Sequence, residues 1–113
     1  MARLSGKDRE ILDEALISAF RHYNALKRMV RFQLDENLEE IADKSTLNQV
    51  VFNLSNWAEA ENKLRWLIEG AYKENPHNQK LQYFYKTIFP KYFPVKQSII
   101  SEKQKNALVD ILE

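Results

Sequence analysis

The stretch AYKENPHNQKLQYF, residues 71–84, contains two helical patterns joined by a short turn. Pro76 ends the first pattern, because a proline pushes the residue before it out of the helical region of backbone space. Asn78 is placed to cap the second pattern, since its side chain can accept a hydrogen bond from a free backbone N–H. An apolar pattern at helical spacing resumes at Leu81 and continues to Phe84. The stretch therefore predicts two packed helices with a tight turn between them.

Helical periodicity also fills the chain before this turn, because apolar residues recur three and four positions apart. Two helix starts carry capping pairs, Ser5 with Asp8 and Thr46 with Gln49. The chain has two glycines and three prolines, and every proline follows residue 75, so little interrupts these helices. The first predicted helix begins at Ser5 and has an apolar face that runs to Phe20. The second and third cover about residues 24–32 and 36–42. The fourth begins at Thr46 and has an apolar stripe to Ala58, the fifth covers about residues 63–75, and the sixth begins at Asn78. They predict an all-α, compact bundle of about six helices.

The composition excludes several classes of protein. A chain of 113 residues is long enough for one domain with an ordinary core. It has no cysteine, so disulfides and thiolate metal sites are impossible, and we expect a reducing, cytoplasmic location. The net charge of +1 predicts neither nucleic-acid nor membrane binding. The chain also lacks an apolar run of membrane-spanning length and the apolar core of a signal peptide.

Motifs for catalysis are missing from the sequence. His22 and His77 lie in different predicted junctions, without the spacing of a zinc-binding HExxH motif. P-loop, GxSxG and GxGxxG patterns are absent. Glu39 and Glu40 lie on a polar helix face, which is the usual place of solvated carboxylates. We therefore expect no enzyme activity, no cofactor, no metal site and no small-molecule substrate.

Charges of opposite sign are separated along the second and third predicted helices. The basic residues are Arg21, Lys27, Arg28 and Arg31. The acidic residues that follow are Asp35, Glu36, Glu39, Glu40 and Asp43. One interpretation is two solvated faces that pair locally. The other is that the basic residues, from Arg21 to Arg31, contact the acidic ones, from Asp35 to Glu40, on another copy, in a head-to-tail arrangement that can propagate.

Aromatic residues are concentrated near the end of the predicted bundle. Six of the 13 aromatic residues lie within residues 83–93, with Lys86 and Lys91 among them. The rings can close one end of the bundle or pack on a neighbouring domain. Alternatively, rings and lysines, including Lys96, can bind single-stranded nucleic acid by stacking and charge. Two prolines divide the run and few lysines interrupt it, which favours packing.

Two further aromatic residues lie away from the apolar stripes of their helices. Phe52 is about opposite the stripe of the fourth helix, and Trp66 points away from the core face of the fifth. Burial of the helices on two sides explains both positions. The alternative is that Phe52 and Trp66 anchor a partner, since aromatic side chains are enriched among the residues that dominate binding.

In order, the segments LDEALISAF, LKRMVRFQLDENLEEIA and LNQVVFNLSNWAEAENKLRWLIEGAYKENPHNQKLQYF resemble effector-associated domain type 1. This family consists of small helical adaptor modules in bacterial conflict and signalling proteins. The resemblance covers about residues 4–84, and Gln79 stands where the family often has a second proline. The matching residues are Ala15, Leu16, Phe20, Val50, Val51, Phe52, Leu54, Trp57, Ala58, Ala71, Asn75, Pro76, Asn78 and Leu81.

The resemblance implies a death-fold-like bundle without catalysis, in which Trp57, Asn75, Pro76 and Asn78 form a structural signature. It implies homotypic association with a like domain on the same or another protein, and a fused or recruited effector in a bacterial defence system. We expect an adaptor domain over residues 4–84. Residues 85–113 would form a closing segment, extended around its prolines, and the start of a further helix that leads to an effector module.

Overall fold

The computed structural model describes residues 3–94 of the chain. That part contains six helices and no strand, which confirms the predicted all-α bundle. The helices are α1 (Gly6–Ala19), α2 (Tyr23–Met29, continuing as the π-helical Val30–Leu34), α3 (Leu38–Ile41), α4 (Leu47–Ala60), α5 (Leu64–Glu74) and α6 (Gln79–Tyr83, continuing as the π-helical Phe84–Ile88 and the α-helical Phe89–Tyr92).

The three helix starts predicted from capping residues are confirmed. The side chains of Ser5, Thr46 and Asn78 each accept a hydrogen bond from the backbone N–H three residues further on, at 3.2, 3.2 and 3.0 Å. These bonds satisfy N–H groups that have no partner inside the helix. The sequence therefore fixes where α1, α4 and α6 begin.

The turn between α5 and α6 is also a contact with α1. The Asn75 side-chain amide donates to the carbonyl oxygen of Ala19 at 2.9 Å, and that of Asn78 donates to the Ser18 hydroxyl at 3.1 Å. Both asparagines thus tie this turn to the end of α1, while Pro76 ends α5 between them. The signature residues of the turn therefore hold two helix junctions together.

The core lies where the apolar stripes of the helices meet. Helix α1 packs between α4 and α6, and the π-helical part of α2 packs against α5. Phe84 is the largest fully buried side chain and places the middle of α6 in this core. Trp57, the signature residue of α4, is half-buried and packs against the core edge.

Two predicted element boundaries are corrected by the structure. Helix α2 extends to Leu34, where Asp35 in the left-handed conformation, with φ of 56°, ends it. Helix α3 is a single turn that begins after Asn37, whose side chain accepts from the Glu39 N–H at 3.1 Å. The acidic segment is therefore mostly loop and less helical than the sequence predicts.

The expectation of an extended segment around Pro90 and Pro94 is wrong for residues 87–92, which are helical. Pro90 lies in the first turn of the α-helical piece Phe89–Tyr92. Backbone N–H groups of a first helical turn have no acceptor within their own helix, so the missing N–H of this proline costs no hydrogen bond of that piece. The preceding π-helical turn, Phe84–Ile88, rearranges the hydrogen bonds at this point. The further helix predicted near the C-terminus lies outside the described residues.

Candidate protein-interaction surface

The predicted basic and acidic residues contact each other within one molecule. Arg31 forms an ion pair with Asp35, with 2.7 Å between Nη1 and Oδ1. Lys27 Nζ lies 3.0 Å from a Glu39 carboxylate oxygen. Local pairing, one of the two interpretations of the sequence, is thus present. Contact with the acidic residues of another copy stays a prediction.

Glu36 also has a partner within the molecule, since its carboxylate lies 2.8 Å from Lys63 Nζ. Arg21, Arg28 and Glu40 are exposed and have no ion-pair partner among residues 3–94. The acidic residues predicted for the contact are therefore largely paired already. Two of the four predicted basic residues, Arg21 and Arg28, keep their charge available.

An exposed phenylalanine that the sequence analysis did not single out lies beside Arg28. The Phe32 ring is 64% exposed, and the Arg28 guanidinium carbon lies 5.9 Å from its centroid. The two residues are four positions apart on α2, so they are neighbours on one helix face. Helical periodicity places Phe32 outside the buried stripe of Leu26, Met29 and Val30, on the side of Arg28, which is the signal that could have identified it.

The interpretation that Phe52 and Trp66 belong to helices buried on two sides is wrong. Phe52 is 48% exposed and Trp66 is 58% exposed. Helices α4 and α5 each bury one stripe, and no other helix of the described chain covers their outer faces at these residues. Trp66 borders an open cleft of about 320 Å³ together with Leu64 and Phe93. Their role as anchors for a partner stays a prediction.

A charged network that the sequence analysis missed joins α1 to α4. Arg9 donates to Asp13 at 3.2 Å, to Glu59 at 3.1 Å and to the Phe52 carbonyl oxygen at 2.7 Å. The Ser55 hydroxyl donates to Asp13 at 2.7 Å. Burial of the Asp13 carboxyl raises its pKa above the ordinary value, although the bonds from Ser55 and Arg9 act in the opposite direction. The positive charge of Arg9 therefore balances the negative charges of Asp13 and Glu59 where α1 packs against α4.

The aromatic rings near the end of the bundle pack against one another, with two pairs stacked and the third, Phe89 with Phe93, tilted by 32°. The ring centroids of Tyr72 and Tyr85 lie 4.1 Å apart, those of Tyr85 and Phe89 4.9 Å, and those of Phe89 and Phe93 4.8 Å. Such stacking uses ring faces that a nucleic-acid base would need. This geometry favours packing of the aromatic run, and Lys96, predicted for nucleic-acid binding, lies outside the described residues.

Comparison with known protein families matches the sequence of this chain to a family. The family model described as effector-associated domain 1 matches residues 2–89. The chain belongs to this family. The match includes the turn with Asn75, Pro76 and Asn78, and it extends beyond residue 84 into the last turns of α6. No curated protein and no solved structure matches the chain.

In this effector-associated domain 1, a hydrogen-bonded contact joins the two ends of the described chain. The Tyr92 hydroxyl donates to Asp8 Oδ2 at 2.6 Å and accepts from the Ser5 N–H at 3.2 Å. Lys91 Nζ lies 3.4 Å from the same carboxylate oxygen. The hydrogen bond from Tyr92 is the main reason why the pKa of Asp8 lies below its ordinary value.

Substitution Tyr92→Phe is expected to raise the pKa of the Asp8 carboxyl towards its ordinary value of 3.8, because the strongest donor to its ionised form is lost. A lowered pKa in the folded state contributes stability above pH 3.8, which is lost as the pH falls through the folded-state pKa. Protonation of Asp8 should therefore contribute less to acid unfolding in the variant than in wild type. Carboxyl titration by NMR measures the shift, and an unchanged Asp8 pKa would contradict this contact.

The described part of effector-associated domain 1 has neither a cluster of metal ligands nor a membrane-spanning helix. Within residues 3–94, no group of three or more His, Cys, Asp or Glu residues is placed to hold a metal ion. In the same part of the chain, no helix combines the length and the apolar character that a membrane crossing requires. An open surface groove of about 520 Å³ lies between α2 and the loop before α3 and is lined by Lys27, Arg31, Glu36 and Asn37.

Proposed function

We propose that this effector-associated domain is a non-catalytic adaptor that recruits or oligomerises an effector by homotypic association in a bacterial defence system. Family membership is the observation that carries the proposal. The partner is a like domain, on the same or another protein, and the effector is fused or recruited. The setting is the cytoplasm, and association between death-fold-like domains is the mode of assembly.

The exposed side chains of α2 support this proposal as one side of the contact. Arg28 and Phe32 are exposed neighbours, and arginine and aromatic residues are enriched among those that dominate binding energies. The nearby pairs of Arg31 with Asp35 and of Lys27 with Glu39 are exposed, so each contributes little to stability, about 0–1 kcal/mol. These side chains can therefore exchange partners when a second copy approaches.

The mass of the 113-residue chain in solution tests the proposal. Light scattering after size exclusion, over a concentration series at low and high salt, is expected to show a mass that grows with concentration. Growth should weaken in high salt, because salt screens the attraction between exposed charges. A monomer at every concentration, together with no capture of a second tagged copy in a pull-down, would reject association between copies of this chain and leave a like domain on another protein as the partner to test.

A further inference from the structure

The outer face of α1 forms a cleft with α4 that sequence analysis did not identify. The cleft has a volume of about 340 Å³, and its exposed walls are mainly apolar. Ile17 of α1 and Phe52 of α4 supply apolar walls, while Glu10 and Glu14 lie along its edge on α1. Phe52 is among the large hydrophobic side chains that the described chain leaves exposed. An apolar cleft bordered by such a ring is a surface suited to a partner side chain.

A second cleft continues this surface on the other side of α1. It measures about 270 Å³, shares Glu14 with the first cleft, and is bordered by Ile11 and the exposed Tyr83. Glu14 thus stands between two apolar depressions, each with an aromatic residue at its outer edge. Lys80 lines only the second cleft, so the first cleft is the more acidic of the two.

The negative charge of the first cleft is not balanced within the described residues. Glu10 and Glu14 are exposed, and neither has an ion-pair partner among residues 3–94. Arg9 is the one basic residue in the wall, and its guanidinium is already bound to Asp13 and Glu59. Two carboxylates are therefore available to a positively charged partner.

The aromatic border of the first cleft is held in position. The Arg9 guanidinium lies 5.1 Å from the centroid of the Phe52 ring and also donates to the Phe52 carbonyl oxygen. Arg9 is itself held by two carboxylates on different helices. A ring that is already held loses little conformational freedom on binding, which lowers the entropic cost of a contact.

We infer that the cleft between α1 and α4 binds Arg28 and Phe32 of a second copy of this chain. Charge complementarity identifies this occupant, because Arg28 has a free positive charge and Glu10 and Glu14 have free negative charges. The exposed Phe32 ring beside Arg28 provides the apolar group that the cleft accommodates. The inference rests on the proposed homotypic function and names the two surfaces that carry it.

This contact joins two different surfaces, one on α2 and one between α1 and α4. Each copy therefore keeps one surface of each kind free after one contact forms, and the contact repeats in a ring or an open chain. The acidic residues near α3 are a weaker complement, because Asp35, Glu36 and Glu39 already have basic partners in their own molecule. The α1 cleft thus provides the second side of the contact.

Two double variants of the full chain test this inference by light scattering. Glu10→Lys with Glu14→Lys alters the cleft, and Arg28→Ser with Phe32→Ser alters the α2 surface without creating a charge that complements the altered cleft. All four residues are exposed, so both variants are expected to fold, which circular dichroism checks. Each variant alone should self-associate at least about tenfold more weakly than wild type, a loss of roughly 1.4 kcal/mol. An equimolar mixture should form pairs that do not grow, because each variant retains one intact surface.

A matched control changes two acidic residues elsewhere. Glu39→Lys with Glu40→Lys makes the same charge change near α3 and is expected to leave self-association within about threefold of wild type, because exposed, salt-screened pairs contribute little. Loss of association in this control with retention in the cleft variant would overturn the inference. So would a mixture of the two double variants that stays monomeric while wild type associates. A wild type that stays monomeric and captures no second copy would overturn association between copies of this chain altogether, so this failure is distinguishable from failure of the two surfaces.

Discussion

Replacing Arg9 with methionine is expected to lower the free energy of unfolding by about 3 kcal/mol, and the melting temperature by roughly 10 °C or more. The side chains of Arg9, Asp13 and Glu59 are only 12, 17 and 15% exposed. Without the guanidinium, two poorly solvated carboxylates face each other with no counter-charge, and the Phe52 carbonyl oxygen loses its donor. Most of the loss is the cost of leaving buried charges unpaired.

Thermal and urea unfolding measure this loss against a matched control. Arg65→Met removes an arginine that also pairs with a carboxylate on its own helix, Glu69, at 3.3 Å. That pair is exposed, so the control should lose at most about 1 kcal/mol. Equal losses in Arg9→Met and Arg65→Met would contradict the role assigned to the network between α1 and α4.

The pH dependence separates unpaired charge from lost packing in the Arg9 variant. A carboxyl whose pKa is raised in the folded state, as that of Asp13 is, contributes stability below the ordinary value of 3.8 and loses it as the pH rises through the folded-state pKa. Removing Arg9 removes an interaction that lowers this pKa, so the pKa rises further. The deficit of Arg9→Met should therefore shrink as the pH falls from neutral towards 3.8. A deficit that is constant with pH would indicate lost packing alone.

Features that depend on residues close in sequence were predictable. The caps at Ser5, Thr46 and Asn78 each involve a bond over three positions, so the sequence contains both partners side by side. The same holds for the proline that ends α5. Apolar spacing along single helices then indicates which face of each helix joins the core, and hence the all-α bundle.

Features that depend on residues distant in sequence were not predictable. Arg9 and Glu59 are separated by 50 positions, and a glutamate on a polar helix face has the same local pattern whether it is solvated or paired. Periodicity shows that Phe52 lies off the apolar stripe, but it does not show whether another helix covers that face. The cleft bordered by Phe52 exists only once α1 and α4 are packed together.

The helical course of residues 85–92 shows a different limit of sequence reasoning. Pro90 predicts an interruption, because proline lacks the N–H that a continuing α-helix requires. The chain instead rearranges its backbone bonds in the π-helical turn Phe84–Ile88 and begins a new α-helical turn with the proline near its start. The burial of Phe84, Ile88 and Phe89 in the core favours this continuation. Tertiary packing here outweighs the local signal.

Gly70→Ala is expected to destabilise the domain by about 2 kcal/mol, although alanine is the better helix former by about 1 kcal/mol. A methyl carbon at Gly70 would lie 2.5 Å from the Cβ of Gln33 and 3.1 Å from its Cγ. The Cβ of Gln33 is fixed to the backbone, so the π-helical Val30–Leu34 must move away from α5. The φ angle of Gly70 is not positive, so its backbone conformation does not require glycine. The close approach of the two helices is the reason why glycine is needed at this position.

The other glycine of the chain provides the control for Gly70→Ala. A methyl carbon at Gly6, the first residue of α1, meets no atom within 4 Å, so Gly6→Ala should leave stability equal or slightly higher. Adding Gln33→Gly to Gly70→Ala should recover part of the loss, because it removes the atom that clashes. A Gly70→Ala variant more stable than wild type would show that α2 can move away from α5 with little loss of free energy.

The π-helical segment Val30–Leu34 also contains the exposed Phe32. Displacement of this segment in Gly70→Ala should therefore weaken self-association, which would connect the packing of α5 to the proposed contact.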